Sequence, residues 1–273
     1  MPRVRLDQSV EQPGKDLGAP SFPLRRRAVL GLAATASMLL AGCDRLSRSD
    51  GVQQVLRLGE TVTRVAQRLI VPRRAMAQEF GPADITADFR SNGTSMPESL
   101  AYAQLVERGF ADYRLVVDGL VEQPLRLSLD DVRGLPSRTQ ITRHDCVEGW
   151  SAIAQWKGAR LGPLLDRVRP KPAARYVVFH CADPMEPGGA SLYYESIDFD
   201  DAWHEQTILA YELNGRVLPI ANGAPLRVRI ERQLGYKMAK YIMRIEVVDS
   251  LVGIGYGRGG YWEDRGYEWY AGI

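Results

Sequence analysis

The stretch Arg143-His144-Asp145-Cys146-Val147-Glu148-Gly149-Trp150 ends a strand-like run that begins at Thr139. Gly149 and the polar residues around it predict that the chain turns directly after this strand. A thiol at such a position can point into a cleft instead of a packed core. Cys146 is therefore the first candidate for a functional side chain, although a single cysteine at a strand end is more often a small buried apolar group.

Two later segments add polar side chains of a complementary kind. They are Asn222-Gly223-Ala224-Pro225-Leu226-Arg227 and Gly235-Tyr236-Lys237-Met238-Ala239-Lys240. An amide, a guanidinium and an ammonium are donors to anionic groups, and a thiolate is a soft ligand for a redox metal. Cys146 and these segments together predict a site for an anionic cofactor that carries a metal.

The composition is that of a globular protein with one sizeable core. Of the 273 residues, 45% are hydrophobic. The formal net charge of +2 comes from the first 43 residues, which hold six Lys/Arg and three Asp/Glu, so that the remainder is close to neutral. A chain without a basic surface is not typical of nucleic-acid binders, and we expect no nucleic-acid partner.

Residues 1–43 predict an export signal. A charged region with Arg26-Arg27 runs into an apolar stretch, Ala28 to Ala41, that is too short to span a bilayer comfortably. The arginine pair resembles the twin-arginine signal, which exports folded, cofactor-loaded proteins. Leu40-Ala41-Gly42-Cys43 resembles a lipobox, in which Cys43 becomes lipidated, and cleavage nearby without a lipid is the alternative. We expect a protein on the periplasmic side of the bacterial inner membrane, held at the membrane surface by a lipid anchor or soluble in the periplasm.

Three further parts follow the signal. Residues 44–82 predict a linker with one amphipathic helix, which packs on the domain or contacts the anionic membrane surface. Residues 83–252 are expected to form the catalytic domain, and residues 253–273 an aromatic tail that packs on its surface. The apolar positions of the helix are Val55, Leu58, Val62, Val65 and Leu69.

The domain shows many strand signals and few helix signals. Ser128-Leu129-Asp130-Asp131 matches a capping box that opens a short helix, and Gly162-Pro163 predicts the start of another. Asn214-Gly215 predicts a tight hairpin turn. Strands are predicted around Tyr113–Asp118, Arg126–Leu127, Thr139–Arg143, Tyr176–Phe179, Ile208–Leu213, Val217–Ile220, Leu226–Ile230 and Tyr241–Val248. Together these signals predict a β-rich domain of the α+β class.

The three motifs resemble the molybdopterin-binding domain of the sulfite oxidase family, in the same order and at similar spacing from about Phe89 to Val248. Within it they are more similar to the catalytic subunits of the periplasmic protein-methionine-sulfoxide reductases. The resemblance implies the mixed α+β fold of that family. It also implies a single molybdopterin whose molybdenum is held by the dithiolene, oxo groups and one protein cysteine.

The resemblance also assigns roles to residues. Cys146 matches the catalytic molybdenum ligand, and the implied cofactor-binding residues include Cys181, at a position where the reductase has a threonine. Lys237 is either a second phosphate contact or a surface lysine. For Arg227 the alternative to cofactor binding is a position on a solvated face of its strand, together with Arg229. The other implied cofactor contacts are Ser91, Asn92, Asn222, Arg227, Met238, Ala239 and Lys240.

Three other classes of site are alternatives for these residues. The first is a structural zinc site built from His144, Cys146, His180 and Cys181, which is disfavoured because neighbouring residues of a strand point to opposite faces. The second is a cysteine hydrolase that pairs Cys146 with His180 or His204. The third is a disulfide between Cys146 and Cys181 in an exported lipoprotein without enzymatic activity.

The expected reaction is a two-electron oxygen-atom transfer. The first hypothesis is reduction of an S-oxide or N-oxide, of a small molecule or a protein, and the alternative is oxidation of a small sulfur oxyanion. The sequence contains no CxxCH haem-attachment motif. Electrons are therefore expected to pass between the enzyme and a membrane cytochrome or another external carrier.

Overall fold

The structure is a computed structural model that describes residues 74–189 and 191–273, together with positions 49, 51, 52, 59, 62, 63, 66 and 72. The chain divides into two compact units, Met1–Gly59 and Glu60–Ile273, and the elements below belong to the second. The predicted export signal with Cys43 lies outside the described residues, and so does the predicted amphipathic helix except for positions 59, 62, 63 and 66. Among the helices that the structure describes, none is both long and apolar enough to cross a bilayer.

The described part of residues 74–273 contains ten strands and four short α-helices. In chain order they are α1 (Leu100–Glu107), β1 (Leu115–Gly119), β2 (Leu125–Leu127), α2 (Leu129–Arg133), β3 (Ser137–Asp145), β4 (Ser151–Arg160), α3 (Leu161–Val168), β5 (Tyr176–Pro184), β6 (Leu192–Asp198), α4 (Phe199–Ala202), β7 (Ile208–Leu213), β8 (Arg216–Val217), β9 (Arg227–Arg229) and β10 (Ile242–Val248). The β-rich α+β class predicted from the sequence is confirmed.

The strands form two sheets. The first has the order β2-β1-β10-β5-β6, with β10 parallel to β1 and all other neighbours antiparallel. The second has the order β3-β4-β7-β8, and β9 pairs with the other end of β7. The β7–β8 turn contains Asn214 and Gly215 with φ values of 50° and 72°, which is the left-handed geometry predicted for this dipeptide.

The two faces of the second sheet pack in different apolar clusters. Leu209 and Tyr211 belong to the main apolar core, which also takes in the first sheet and α3. Ile208 and Ala210 alternate with them and pack in a smaller cluster around Trp156. Apolar packing therefore supports β7 from both sides of the sheet.

One face of β3 is buried although its side chains are polar. Gln140, Thr142 and His144 are each at most 1% exposed, and Cys146 follows at the next step of the alternation. Buried polar groups require hydrogen-bond partners. The Nε2 of Gln140 donates to Glu231 Oε1 over 2.7 Å. The strand thus leads from a buried polar network directly to the thiol.

Candidate functional site

A cavity of about 200 Å³ lies beside Cys146, where separate parts of the chain meet. They are the turn after β3, the segments 92–94 and 235–240, the region between β5 and β6, and the C-terminal tail. The lining residues are Asn92, Gly93, Thr94, Cys146, Val147, Glu148, Asp183, Met185, Tyr193, Gly235, Tyr236, Met238, Ala239, Lys240, Trp262 and Tyr267.

A tight turn places Cys146 at the cavity wall. The Cys146 N–H donates to the Trp150 carbonyl over 2.9 Å, and the Gly149 N–H donates back to the Cys146 carbonyl over 3.0 Å. Gly149 has a φ of 83°, in the left-handed region that favours glycine. The Gly149 of the sequence motif is thus explained by the turn that presents the cysteine.

The surroundings of the Cys146 thiol keep it protonated. Burial raises its pKa, and the Glu148 carboxylate adds to the effect, while the backbone N–H groups of Glu148 and Val147 and the Arg90 guanidinium act in the opposite direction. Only 9% of Cys146 is exposed. Because a coordinated metal cation stabilises a thiolate, the site suits a metal ligand better than a free nucleophile.

Arg227 is a fully buried cation whose hydrogen-bond acceptors are backbone carbonyls. Its guanidinium donates to the carbonyls of Asn222 over 3.1 Å and Met238 over 3.3 Å, and its Nε has no partner among the described residues. Burial and the neighbouring Arg229 lower the pKa of Arg227 to about 9. Its charge is therefore poorly compensated.

Lys240 is likewise a buried cation whose hydrogen-bond acceptors are backbone carbonyls. Its Nζ donates to the carbonyls of Asn92 over 2.7 Å, Thr94, and Ala221 over 3.2 Å. Burial and the positive charge of Arg227 lower the pKa of Lys240 to about 7. Within the described part of the chain, no carboxylate forms an ion pair with either Lys240 or Arg227. An anionic ligand would supply the missing charge.

Gly223 allows the two cations to approach each other. A Cβ at this position would lie 2.9 Å from Lys240 Cβ and 3.1 Å from Arg227 Cβ. The φ of Gly223 is also positive, at 111°. The neighbouring Asn222 is 7% exposed, and its Nδ2 is buried without a partner among the described residues. The Asn222-Gly223 dipeptide thus combines a close approach with an unsatisfied donor.

Arg229 differs from Arg227 because it has a carboxylate partner. Its Nη2 lies 2.6 Å from Glu231 Oε2, and its Nη1 donates to His144 Nδ1 over 2.9 Å. Burial, followed by the charges of Arg229, Arg227 and Lys240, holds the pKa of His144 well below its usual range. His144 is therefore neutral with its proton on Nε2, which is a buried donor without a partner in the described structure. The alternative that Arg227 and Arg229 lie on a solvated face is wrong, because both are buried against Trp156. Their Cζ atoms lie 5.0 and 4.5 Å from the centroid of the Trp156 ring.

Residues 102–252 match the family described as the oxidoreductase molybdopterin-binding domain. The chain belongs to this family. A protein of Azospira oryzae, provisionally named protein-methionine-sulfoxide reductase subunit YedZ1, is 34% identical over 268 residues, covering 97% of this chain and 95% of that one.

Other relatives carry the name protein-methionine-sulfoxide reductase catalytic subunit MsrP. The one from Ralstonia nicotianae is 37% identical over 171 residues, or 60% of this chain and 51% of the relative. The one from Xanthomonas axonopodis is 31% identical over 246 residues, or 83% and 70% of the two chains. Among solved structures, the sulfane dehydrogenase SoxCD of Paracoccus pantotrophus superimposes on 51% of this chain and 39% of that one, with a TM-score of 0.47 at 24% identity.

The donor set fits molybdopterin, the cofactor of this oxidoreductase family. A phosphate would balance the buried charges of Arg227 and Lys240. The amide-like edges of the pterin would suit the unpaired Asn222 Nδ2 and His144 Nε2. The site of this molybdopterin-binding oxidoreductase therefore offers both the charge and the hydrogen bonds that the cofactor requires.

The structure brings five of the residues predicted from the sequence to one cavity, namely Asn92, Cys146, Met238, Ala239 and Lys240. The other four lie outside the lining. Asn222 and Arg227 are buried next to Lys240, and the Ser91 hydroxyl donates to the Ala221 carbonyl over 2.5 Å. Cys181 is 2% exposed within the main apolar core.

Sequence reasoning missed several lining residues. Asp183 is 4% exposed at the cavity wall, and burial raises the pKa of its carboxyl to about 6. Trp262 and Tyr267 belong to the tail, which was expected only to pack on the domain surface. The density of aromatic residues in the tail was the available signal, since aromatic rings often line ligand sites.

The other classes of site are not supported. Cys146 and Cys181 are both free thiols. No group of three His, Cys, Asp or Glu side chains within the described residues is placed to hold a metal ion. His180 pairs with Glu246 at 2.9 Å and His204 contacts the Ala75 carbonyl at 3.0 Å, so neither histidine serves Cys146.

Proposed function

We propose that this oxidoreductase transfers an oxygen atom in a two-electron reaction and works as a reductase of S-oxides or N-oxides. Protein-bound methionine sulfoxide is the first substrate to test, since several relatives are named as reductases of it. The observation that carries the proposal is the apolar and aromatic wall beside Cys146, formed by Val147, Met185, Trp262 and Tyr267. Such a wall would bind the organic groups on either side of a sulfoxide.

The charges at the cavity favour an uncharged substrate over a sulfur oxyanion. Glu148 is an exposed carboxylate in the lining, next to Cys146. Asp183 is a second acidic lining residue, whereas the charge of Lys240 would be balanced by the phosphate of the cofactor. A dianion would meet repulsion from Glu148, while a neutral sulfoxide would not.

We further infer that the cofactor is a single molybdopterin that carries molybdenum. When bound, it supplies a metal that exchanges an oxygen atom and two electrons with the substrate. Cys146 would hold the metal, Arg227 and Lys240 would bind the phosphate, and Asn222 would bind a polar edge. Ser91, Asn92, Cys181, Met238 and Ala239 are the remaining proposed cofactor contacts. Val147, Met185, Trp262 and Tyr267 would orient the substrate and exclude water.

The electrons would come from an external carrier. Reduction of a sulfoxide consumes two electrons and two protons and releases water. We propose a membrane cytochrome, or another one-electron carrier, as the donor.

The function is tested by assaying protein purified with its cofactor. Dimethyl sulfoxide, a peptide containing methionine sulfoxide, trimethylamine N-oxide and sulfite are compared, with a reduced dye as electron donor for the oxides and an oxidant for sulfite. We expect the peptide sulfoxide to give the highest kcat/KM. Turnover of sulfite without turnover of any oxide would favour the oxyanion alternative and overturn the proposal.

Export and anchoring are a separate proposal that follows from Arg26-Arg27 and Cys43. We expect the mature protein to partition with inner membranes and to begin with a lipidated Cys43, as shown by mass spectrometry of its N-terminal peptide. Cys43→Ala should release the protein from the membrane while its activity is retained. An unmodified N-terminus elsewhere in a wholly soluble protein would contradict the anchor.

A further inference from the structure

Lys237 lies in a buried ionic cluster that the proposed chemistry does not use. Its Nζ is 2.5 Å from Glu195 Oε1 and 2.5 Å from Glu263 Oε1. The side chains of all three residues are at most 1% exposed. The sequence predicted that Lys237 is a phosphate contact or a surface lysine, and both predictions are therefore wrong.

This cluster, defined as Lys237, Glu195 and Glu263, becomes neutral when one of its two carboxyls binds a proton. Burial raises the pKa of Glu195 well above its usual range. The neighbouring Glu263 raises this pKa further, whereas the positive charge of Lys237 lowers it. The two glutamates outweigh burial and raise the pKa of Lys237. One ammonium, one carboxylate and one protonated carboxyl give a neutral cluster, which is the form that a buried site tolerates.

The three members come from three different walls of the cavity. Glu195 lies in β6, two residues after Tyr193. Lys237 lies between the lining residues Tyr236 and Met238, and Glu263 directly follows the lining residue Trp262. A pair of Lys237 and Glu195 would be enough to neutralise the lysine. The second glutamate, Glu263, adds an ion pair between Lys237 and the C-terminal tail.

The tail presents its rings at the cavity as a connected group. Trp262 and Tyr267 are stacked with centroids 5.4 Å apart, and Tyr236 meets Tyr267 edge-on at 5.1 Å. The Tyr236 hydroxyl donates to the Glu268 carbonyl over 2.5 Å. We name Tyr236, Trp262 and Tyr267 the aromatic wall. Its position depends on how the tail is held against the segment 235–237.

We propose that the cluster of Lys237, Glu195 and Glu263 is a positioning device that holds the aromatic wall over the cavity and thereby sets the affinity for the organic part of the substrate. The affinity part of this inference rests on the proposed reduction of S-oxides. None of the three residues touches the reacting atoms. Their loss should change substrate binding more than the chemical step.

Substitutions of Glu263 test the device. Glu263→Ala removes the ion pair between the tail and Lys237. We expect KM for a peptide containing methionine sulfoxide to rise about tenfold, because aromatic contacts to the substrate are lost. The value of kcat should stay within about twofold of wild type. Glu263→Gln keeps a hydrogen-bond acceptor for Lys237 while Glu195 supplies the carboxylate, and it should restore the wild-type KM. Glu263→Asp keeps the charge but shortens the reach, and it should give an intermediate value.

A readout that does not depend on turnover accompanies the kinetics. Hydrogen exchange of residues 253–273 in the cofactor-loaded enzyme should become faster in Glu263→Ala and remain slow in Glu263→Gln. Glu212→Ala is the matched control, because it breaks a partly exposed ion pair with Lys157 at 3.0 Å in the second sheet. The control should change neither KM nor exchange of the tail.

The possible failures can be told apart. Unchanged KM and unchanged tail exchange in Glu263→Ala, at full molybdenum content, would overturn the positioning device, and so would a fall in kcat alone. If Glu263→Ala does not accumulate, Glu263→Asp is measured in its place against the same criteria. If wild-type enzyme reduces no sulfoxide, the proposed function fails, while hydrogen exchange still decides whether the cluster holds the tail.

Discussion

Replacing Cys146 by serine is expected to abolish turnover. A serine hydroxyl is a hard, weakly acidic ligand, whereas a thiolate matches a soft redox metal. Loss of groups that merely hydrogen-bond to metal ligands lowers affinity or activity about 10–100-fold, so loss of the ligand itself should lower activity by more than about 100-fold. Turnover per molybdenum atom and the Mo(V) spectrum are the measurements.

The cofactor itself should remain largely bound in Cys146→Ser, because Asn222, Arg227 and Lys240 are unchanged. Lys157→Ala, at a partly exposed lysine of the second sheet, is the control and should leave the Mo(V) spectrum as in wild type. Wild-type turnover of Cys146→Ser with an unaltered Mo(V) spectrum would falsify the assignment of the metal ligand.

Removing either buried cation should empty the site of cofactor. A hydrogen bond to a charged group contributes about 1.5–3 kcal/mol, so Arg227→Ala or Lys240→Ala should weaken cofactor binding roughly 10–150-fold. Molybdenum content per protein should fall, while activity per molybdenum atom should change much less. Lys157→Ala, which removes a partly exposed lysine, is the control and should retain full occupancy.

The pH dependence of cofactor binding provides a second measurement on Lys240. Its pKa of about 7 in the cofactor-free protein is well below the usual value, so Lys240 loses its proton there as the pH rises from 7 to 9. A bound phosphate favours the protonated form and raises this pKa, so binding takes up a proton above pH 7. Cofactor affinity should therefore fall between pH 7 and pH 9 in wild type, and this fall should be smaller in Lys240→Ala. Equal pH dependence and full occupancy in both would mean that the phosphate lies elsewhere.

The sequence predicted those parts of the fold that depend on local signals. The capping box at Ser128, the start of α3 and the Asn214-Gly215 turn all occur where short-range chemistry placed them. The strands β4 and β6 and the helices α1 and α4 were not predicted. In β4 the buried positions Ala152 and Ala154 have low strand propensity, so the alternation that marks a strand is weak.

The candidate site shows the same division. Cys146, Arg227 and Lys240 could be found because their motifs are compact. The partners of Lys237 could not, since Glu195 and Glu263 are 42 and 26 residues away in sequence. The polar face of β3, with Gln140, Thr142 and His144, reads as a solvated face in the sequence. It is buried because Arg229 and Glu231 reach it from another part of the chain.

The position of β10 has a consequence for biosynthesis. This strand lies in the middle of the first sheet, parallel to β1, and Asp118 and Arg244, which form an ion pair across the two strands, are 126 residues apart in sequence. During translation, the edges of β1 and β5 that face β10 therefore remain unpaired until β10 has been synthesised. Such unpaired edges are prone to aggregate. Assembly of the sheet, and with it of the segment 235–240 just before β10, is a late event in the life of the nascent chain. A chaperone that shields β1 and β5 until then would raise the yield of folded enzyme.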